Sequence, residues 1–396
     1  MINTAELTIK EKRNILRNAP FPYKKPHVDV LEENALDDFL GEYLKAYGLL
    51  DKHEWNDPMI TDNGSGYRII DLFAGIGGIR SAYTLFGCTN VFSSEIDKHA
   101  VRTYRINYGE ECVGDITGID ASDIPSFDIL LGGFPCQAFS HAGLKRGFDD
   151  TRGTLFFEIA RILKERHPKA FMLENVPALR THDNGNTFKT ILSALDDIGY
   201  GVPTPQVLNG RDFGAPQNRN RVIIVGFDRD AYPNAADEFE YPEPTCNRDN
   251  LHASDILEMH DKALQSGWND DEWKDYIEKF RLSGRLWNYL KDRKKKNQER
   301  GNGFGYTLFT PDSPYLNTIS ARYGKDGSEI LIDDGGIRPR KLTPRECARL
   351  QGFGDGFLID ASNTQAYHQF GNSVCIPVMQ AVAHNVVEYL DKYSDE

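Results

Sequence analysis

The chain has 396 residues, of which 40% are hydrophobic and 27% are charged, and this composition is typical of a soluble globular protein. At roughly 150 residues per domain, the length allows two or three domains. No apolar run approaches the roughly 18 residues that a membrane helix needs. The charged N-terminus is not followed by the apolar segment of a secretory signal. We therefore expect a cytoplasmic protein without membrane contact.

The charge balance narrows the class of partner. Lysine and arginine number 46 against 59 acidic residues, a net charge of −13, which argues against a chain that coats nucleic acid nonspecifically. Residues 281–345 nevertheless contain 14 basic and 7 acidic residues. Such a basic island can grip a polyanion, or it can be a solvated helix face. The six cysteines include no CxxC pair, so we predict no metal site and a reducing compartment.

Residues 1–66 are predicted to be an N-terminal extension. Apolar side chains recur at helical spacing from Val30 to Leu49, which predicts one helix there. Three prolines precede this helix, and Asn-Gly-Ser-Gly at 63–66 follows it as a linker. The extension's sequence indicates no function.

Strands and helices alternate from Tyr67 onward. Strands are predicted at 68–73, 89–93, 127–131, 170–174 and 221–227, with helices between the first four of them and at 187–195. This order predicts an α/β fold whose mostly parallel sheet is covered on both faces. We expect a catalytic and cofactor-binding domain at 67–233, an irregular domain at 234–340 and a hinge segment at 341–371. A C-terminal helix at 372–396 should return to the catalytic domain.

A glycine-rich turn follows the first strand. Gly75 and Gly77 would let a ligand approach the backbone at a helix N-terminus. Arg80 stands where a dinucleotide-binding motif needs its third glycine. Glu95 ends the second strand, where a carboxylate can accept hydrogen bonds from both ribose hydroxyls, and Asp115 could meet an adenine amino group. The pattern favours an adenosyl ligand without a pyrophosphate over NAD, although such glycines also occur in loops of other α/β proteins.

The predicted strand at 127–131 is followed by two glycines and then by Pro135 and Cys136. The polar residues Gln137, Ser140 and His141 come next. Ligands bind at such strand ends, so the polar neighbours predict a thiol presented to substrate rather than a buried structural cysteine.

A thiolate suits one acceptor in particular. Carbon 5 of cytosine has no lone pair, but addition of a thiolate to carbon 6 makes carbon 5 nucleophilic. Glu174 ends the next strand and, buried among apolar residues, is expected to be protonated near neutral pH and to activate N3. Arg219 and Arg221 lie two residues apart, on one face of a strand, where they can steady the ring oxygen and a phosphate. Each of these motifs, if it stood alone, would be interpreted as exposed polar residues on the surface.

Six motifs then occur in order: Asp71-Leu-Phe-Ala-Gly-Ile-Gly-Gly78, Gly133-Phe-Pro-Cys-Gln137, Glu174-Asn-Val176, Gln217-x-Arg-x-Arg221, Leu342-Thr-Pro-Arg-Glu-Cys347 and Gln369-Phe-Gly-Asn-Ser373. Together they resemble the ordered motifs of carbon-5 cytosine DNA methyltransferases. The resemblance runs from Arg68 to about Glu388, and nothing comparable covers residues 1–66.

The resemblance implies a Rossmann-like, S-adenosylmethionine-dependent methyltransferase without a metal, and it implies roles for the site residues. Cys136 would be the nucleophile, Glu174 the N3 partner, and Arg219 and Arg221 the clamps. The residues implied to bind the donor are Phe73 (stacked on adenine), Gly75, Gly77, Glu95 (ribose), Asp115 (adenine amino group), Ile116, Leu155 and Asn372 (near the sulfonium). Those implied to bind DNA are Gln137, which fills the space of the flipped base, and Ser140, which touches a phosphate.

The segment from about Asn234 to Arg340 falls where this family keeps its target-recognition domain. Residues 301–305 and 318–332 are similar to those of the Dcm-like branch, which implies CC(A/T)GG or CCNGG as the site. Thr318 and Arg322 are the predicted contacts, and Arg322 reads a guanine edge or grips a phosphate. The resemblance implies a bacterial or phage-derived enzyme at the nucleoid, monomeric in action, on double-stranded DNA, with a possible cognate restriction endonuclease.

Three other functions compete. A catalytically idle DNA-binding regulator is disfavoured because Cys136, Glu174 and both arginines are intact. An RNA cytosine-5 methyltransferase is disfavoured by the long segment that resembles a DNA-reading branch. An NAD oxidoreductase is disfavoured by Arg80.

Overall fold

The computed structural model describes residues 4–49, 66–135, 155–303 and 305–393. A seven-stranded sheet forms its centre, in the order β2-β1-β3-β4-β8-β5, with β6 also paired to β8. The strands of the chain are β1 (Arg68–Leu72), β2 (Thr89–Ser94), β3 (Ile129–Gly133), β4 (Ala170–Asn175), β5 (Tyr200–Gly201), β6 (Gln206–Asn209), β7 (Gln217–Asn218), β8 (Asn220–Asp228), β9 (Leu308–Phe309), β10 (Leu316–Asn317) and β11 (Leu331–Ile332).

The helices are α1 (Ile9–Asn18), α2 (Glu33–Ala46), α3 (Gly78–Thr84), α4 (Lys98–Tyr108), α5 (Leu155–Arg166), α6 (Asn186–Asp197), α7 (Ala235–Glu238), α8 (His260–Gln265), α9 (Asp270–Ile277), α10 (Gly284–Glu299), α11 (Pro344–Leu350), α12 (Asn363–Asn372) and α13 (Ile376–Lys392). None of these helices is both long and apolar enough to cross a membrane, within the described residues.

Six of the seven strands of the sheet run in one direction. Strands β2, β1, β3 and β4 run parallel, as predicted, but β8 is antiparallel to β4, β5 and β6. Ten residues separate β6 from β8, and a parallel crossover needs about a dozen or more. The expectation of a mostly parallel sheet is therefore confirmed, with β8 as the one reversed strand of the seven.

Both faces of the sheet are buried, as the strand–helix alternation predicted. On one face, β1, β3 and β4 pack with α3 and α13 in a shared apolar cluster. On the other face, the same strands pack with α5 and α6. The C-terminal helix α13 thus returns to the catalytic sheet and supports α3, the helix that follows the glycine-rich turn.

The N-terminal extension is docked on the rest of the chain. The predicted helix is present as α2, but α1, which a capping box between Thr8 and Glu11 begins, was not predicted. Both helices share an apolar cluster with Leu358. Asn14 Nδ2 donates to the Asp360 carbonyl at 2.8 Å, and Arg345 Nε donates to the Asn18 carbonyl at 2.8 Å. The described part of the extension is therefore tied to the hinge segment.

The segment predicted to be irregular has helical structure. It contains α7 to α10, and its three short strands include β10, which pairs with β7, and β11, which pairs with β9. The prediction missed these helices because they bury few apolar side chains; within α10 only Leu290 is buried. Residues of this segment and of the hinge share one apolar cluster, which also includes Ile76 of the glycine-rich turn.

Candidate active site

A cavity of about 640 Å³ lies at the carboxyl edge of the parallel strands, where open α/β sheets bind ligands. Residues that follow β1 and β2 and the ends of β3 and β4 form one wall. Residues 318–321 and 368–374 form the opposite wall. The predicted site residues that line it are Phe73, Gly75, Glu95, Leu155, Glu174, Arg219, Arg221, Thr318 and Asn372.

The turn after β1 has an unusual backbone. Phe73 has φ of 56°, in the left-handed region that costs a non-glycine residue about 1–3 kcal/mol. Gly77 has φ of 81°, and a Cβ there would lie 2.2 Å from the Tyr108 ring. The Tyr108 hydroxyl donates to the Gly77 carbonyl at 2.9 Å. A strained aromatic residue presented to the cavity, on a tightly packed glycine turn, is typical of a ligand site.

Glu95 is fixed by backbone amides on both of its oxygens. Gly75 N donates to Oε2 at 2.8 Å and Asp97 N donates to Oε1 at 2.8 Å. Each carboxylate oxygen keeps a further acceptor position. The side chain lines the cavity and can accept from two neighbouring hydroxyls, and its contact with a ribose stays a prediction.

Three predicted donor contacts do not line the cavity: Gly77 in the turn after β1, Asp115 and Ile116. Asp115 is exposed and caps a short 3-10 helix by accepting from Thr117 N at 3.0 Å, and these hydrogen bonds lower the pKa of its carboxyl. Ile116 is 1% exposed and belongs to the apolar cluster beneath α5. Both lie just beyond β2 and α4, so their contact with a donor stays a prediction.

Glu174 and Arg221 form an ion pair at the end of β4. Arg221 Nε lies 2.6 Å from Glu174 Oε1, and both side chains are largely buried. The sequence predicted that the Glu174 carboxyl is buried among apolar residues. The carboxyl is buried, but the Arg221 guanidinium lies directly beside it, so that part of the prediction is wrong.

Arg219 is 2% exposed and is occupied by backbone carbonyls. Nη1 donates to Ile319 at 2.9 Å, and Nη2 donates to Gly371 and Ser373. Burial, together with the nearby charge of Arg221, lowers the pKa of Arg219 to about 9. Instead of a free clamp for a ring oxygen or phosphate, Arg219 joins the two segments of the opposite wall to the sheet.

The nucleophile loop is described only up to Pro135, which lines the cavity. Cys136, Gln137 and Ser140 lie outside the described residues. Of the recognition residues, Thr318 lines the cavity and its hydroxyl donates to the Asn218 carbonyl at 2.8 Å. Arg322 is exposed on the loop that follows Ala321.

Several cavity residues were not predicted, among them Ile96, Asn175 and His368. Ile96 is 73% exposed and lies beside Glu95; an apolar residue directly after a strand-end acid was the available signal. Asn175 Nδ2 donates to the Phe134 carbonyl at 2.9 Å, so it holds the end of β3 just before the nucleophile loop. His368 lies 3.4 Å from Asn372 through its Nε2. Within the four described ranges, no cluster of His, Cys, Asp or Glu could hold a metal ion.

Comparison with known proteins identifies the family. The profile of the C-5 cytosine-specific DNA methylase family matches residues 67–388. The chain belongs to this family. It is 54% identical over 336 residues to the Type II methyltransferase M1.ScrFI of Lactococcus lactis subsp. cremoris, covering 85% of this chain and 82% of the relative. The predictions of family, fold class and methyltransferase activity are confirmed.

A second relative bears on the extension. The Type II methyltransferase M.HpaII of Haemophilus parainfluenzae is 40% identical over 386 residues, covering 93% of this chain and 99% of the relative. Residues 67–396 are 330 of 396 residues, about 83%, so this match reaches into the extension. The family profile itself begins at residue 67, as expected, but this relative also matches part of residues 1–66.

A solved structure supports the fold. The Dnmt2 methyltransferase of S. pombe superposes with a TM-score of 0.60 at 18% identity, covering 82% of this chain and 99% of that chain. At this identity the likeness concerns the fold of the methylase alone.

Proposed function

We propose that this methylase transfers a methyl group from S-adenosylmethionine to carbon 5 of a flipped-out cytosine in a short double-stranded DNA site, through a covalent Cys136 adduct. One observation carries the proposal. A single cavity joins the adenosyl cradle, Phe73 and Glu95, to the Glu174–Arg221 pair and to Pro135, which precedes Cys136.

The donor half fits an adenosyl group. Glu95 offers two oriented acceptors to ribose hydroxyls, Phe73 and Ile96 offer apolar surface to a purine ring, and Asn372 lines the wall across from them. When bound there, S-adenosylmethionine supplies an electrophilic methyl group. We propose the same contacts for its product, S-adenosylhomocysteine.

Cys136 supplies the activation that carbon 5 requires. Its thiolate forms a bond to carbon 6, and the electron pair of the 5,6 double bond moves toward carbon 5, which then takes the methyl group. Loss of the carbon 5 proton to a base returns the electron pair, breaks the carbon–sulfur bond and releases the thiolate. In a duplex, the neighbouring base pairs cover both faces of the cytosine, so the cytosine has to leave the helix before it can react.

The Glu174–Arg221 pair serves the ring edge. We propose that Glu174 contacts N3 and the amino group, and that Arg221 steadies the ring oxygen, where negative charge develops after thiolate addition. For Arg219 we propose a positioning role, because its donors are bound to the carbonyls of Ile319, Gly371 and Ser373. Gln137 and Ser140 remain proposed DNA contacts on their motif alone.

Residues 301–332 are proposed to read the site, CC(A/T)GG or CCNGG, with Thr318 and Arg322 among the contacts. The relatives M1.ScrFI and M.HpaII are named Type II methyltransferases. We propose by analogy a bacterial modification enzyme that acts as a monomer on DNA in the cytoplasm, with a cognate restriction endonuclease for the same site.

A mechanism-based trap tests the covalent step. A fluorine at carbon 5 cannot leave as the proton does, so the adduct persists on DNA that contains 5-fluorocytosine. The parent and the matched control Cys246→Ser, which alters a partly exposed free thiol, should form a denaturation-resistant complex, and Cys136→Ser should form none. A trapped complex with Cys136→Ser would contradict the nucleophile assignment.

A further inference from the structure

Helix α10 carries a strongly basic surface that the proposed chemistry does not use. Between Gly284 and Arg300 the chain has seven basic and two acidic residues. Apart from Leu290, with Leu286 and Trp287 half-buried against a small apolar cluster, the helix is mostly solvent-exposed. Such an excess of positive over negative charge on one helix is costly unless a polyanion approaches it.

The basic side chains of α10 are sorted around the helix. Four of them, Arg285, Arg293, Lys296 and Arg300, are spaced eight, three and four residues apart, so they lie on one flank of the helix. Tyr289, which is half-exposed, lies between the first two. The acids Asp292 and Glu299, seven residues apart, lie on the outermost side and separate this flank from Lys291 and Lys295. We call the four residues the basic stripe: Arg285, Arg293, Lys296 and Arg300.

The flank of the basic stripe faces the recognition loop. Arg293 Nη1 lies 3.7 Å from Asp326 Oδ2, at the far end of the loop whose near end, Ser320 and Ala321, lines the catalytic cavity. On the inner side, Lys294 Nζ donates to the Tyr306 carbonyl at 3.1 Å. Within the described ranges, Asp326 is the one acid at ion-pair distance from the basic stripe. The stripe is thus continuous with the surface proposed to meet DNA.

We infer that the basic stripe binds backbone phosphates of the DNA outside the bases that the enzyme reads. The inference rests on the proposed function. Fifteen residues of helix span about 22 Å at 1.5 Å per residue, enough to contact several successive phosphates. Contacts of this kind add affinity and orient the duplex but carry no sequence information. The stripe would therefore set how tightly DNA is held, and residues 301–332 would set which site is chosen.

Salt-dependent binding tests this inference. The affinity of the full chain for a 30-base-pair duplex, carrying the site that methylation mapping defines, is measured by fluorescence anisotropy over a range of salt concentrations. Arg285→Gln with Lys296→Gln should lower the slope of log affinity against log salt by about 2, since each phosphate contact contributes about 0.9. At 0.1 M salt this corresponds to binding weaker by roughly ten- to a hundred-fold. The ratio of target to scrambled-site affinity should stay at the parental value.

The matched control removes two charges from the other flank of the same helix. Lys291→Gln with Lys295→Gln should leave the slope near that of the parent. The inference is overturned if the stripe variant keeps the parental slope, if the control loses as much, or if the stripe variant changes the site ratio. If the parent methylates DNA and the stripe variant keeps the parental salt slope, only the inference about the basic stripe is refuted. A parent that neither binds nor methylates DNA refutes the proposed function as well.

Discussion

The Glu95 carboxylate is already oriented by two backbone amides, Gly75 N and Asp97 N. Such charge-assisted bonds hold the side chain in one rotamer, so a donor ribose meets a prepared acceptor and little side-chain entropy is lost on binding. This arrangement makes Glu95 the single residue on which donor affinity should depend most clearly.

Glu95→Ala should weaken S-adenosylhomocysteine binding by roughly 1.5–3 kcal/mol for each charged hydrogen bond lost. Glu95→Gln, which keeps one oxygen and the shape of the side chain, should lose less. Titration calorimetry on both variants measures the difference. Parental affinity in Glu95→Ala would show that the donor binds elsewhere, and parallel titration with NAD should give no heat.

Asp71 is the most isolated charge near this turn. It is 1% exposed, and neither carboxylate oxygen has a hydrogen-bond partner among the described residues. Burial raises the pKa of Asp71 from 3.8 to about 7, although the charge of Arg80 opposes the shift. The folded state therefore binds a proton that the unfolded state releases between these two values.

The sign of the resulting pH dependence is fixed by linkage. Between about pH 4 and pH 7 the folded chain holds more protons than the unfolded chain, so the Asp71 contribution to the free energy of unfolding is largest below pH 4 and is lost as the pH rises to 7. A shift of about three units corresponds to roughly 4 kcal/mol. Asp71→Asn should gain stability relative to the parent over this interval, measured by urea unfolding at each pH. A difference that does not vary with pH would contradict the assignment.

A buried ion pair connects the N-terminal extension to an element that is distant in sequence. Lys24 Nζ pairs with Glu258 Oε1, and both side chains are almost completely buried. Glu258 Oε2 accepts from the Tyr276 hydroxyl at 2.6 Å and from Thr343 Oγ1 at 2.8 Å. Burial opposes ionisation, but the Lys24 ammonium holds the pKa of Glu258 below its usual value. This network joins the extension, the recognition segment and α11.

Lys24→Met should destabilise the fold by about 3–5 kcal/mol, because it leaves the Glu258 charge buried without a partner. Adding Glu258→Gln removes that charge and keeps an acceptor for Tyr276 and Thr343, so the double variant should recover most of the loss. Urea unfolding of both variants checks this. A double variant as unstable as Lys24→Met would show that packing, rather than the unpaired charge, causes the loss.

Sequence periodicity predicted five of the seven strands of the sheet and missed the short strands β5 and β6. It also missed helices that bury polar groups. Strand β4 and helix α6 have continuous or regularly spaced apolar residues and were predicted to within one or two residues. In α1 the buried positions include Lys12, Asn14 and Asn18, which reach carbonyls and acids of other elements, so no apolar stripe announced the helix. In α10 a single buried residue gives no period at all.

The site residues were predictable where a motif stands at a strand end, as for Glu95 and Glu174. The role of Arg219 was not, because its carbonyl partners lie 100 to 154 residues away along the chain. Neither was the Glu174–Arg221 contact, which depends on the antiparallel pairing of β4 with β8.

At the scale of the whole molecule, the two segments that form one wall of the cavity, residues 318–321 and 368–374, meet at Gly371. A Cβ at this position would lie 2.3 Å from the backbone carbonyl of Ser320. In a helix, alanine for glycine is otherwise favourable by up to about 1 kcal/mol. Any loss of activity in Gly371→Ala would therefore come from displacement of the recognition segment from α12.

Gly371→Ala should lower the methylation rate at least roughly ten-fold, since small misplacements of a reacting group are costly. Gly354→Ala is the matched control, because a Cβ there meets nothing within 4 Å. Single-turnover methylation of a target duplex measures both. Parental rates in Gly371→Ala would mean that the contact between these two segments of the wall does not limit catalysis.

The central claim is that this chain methylates carbon 5 of cytosine in DNA through Cys136. Bisulfite sequencing of DNA from a methylation-free host that expresses the chain tests it most directly. We predict protected cytosines at one short sequence, CC(A/T)GG or CCNGG, in every copy of that site, and none with Cys136→Ser. Protection at an unrelated sequence would correct the predicted site alone, whereas protection that persists with Cys136→Ser, or unprotected DNA with the parent, would contradict the account.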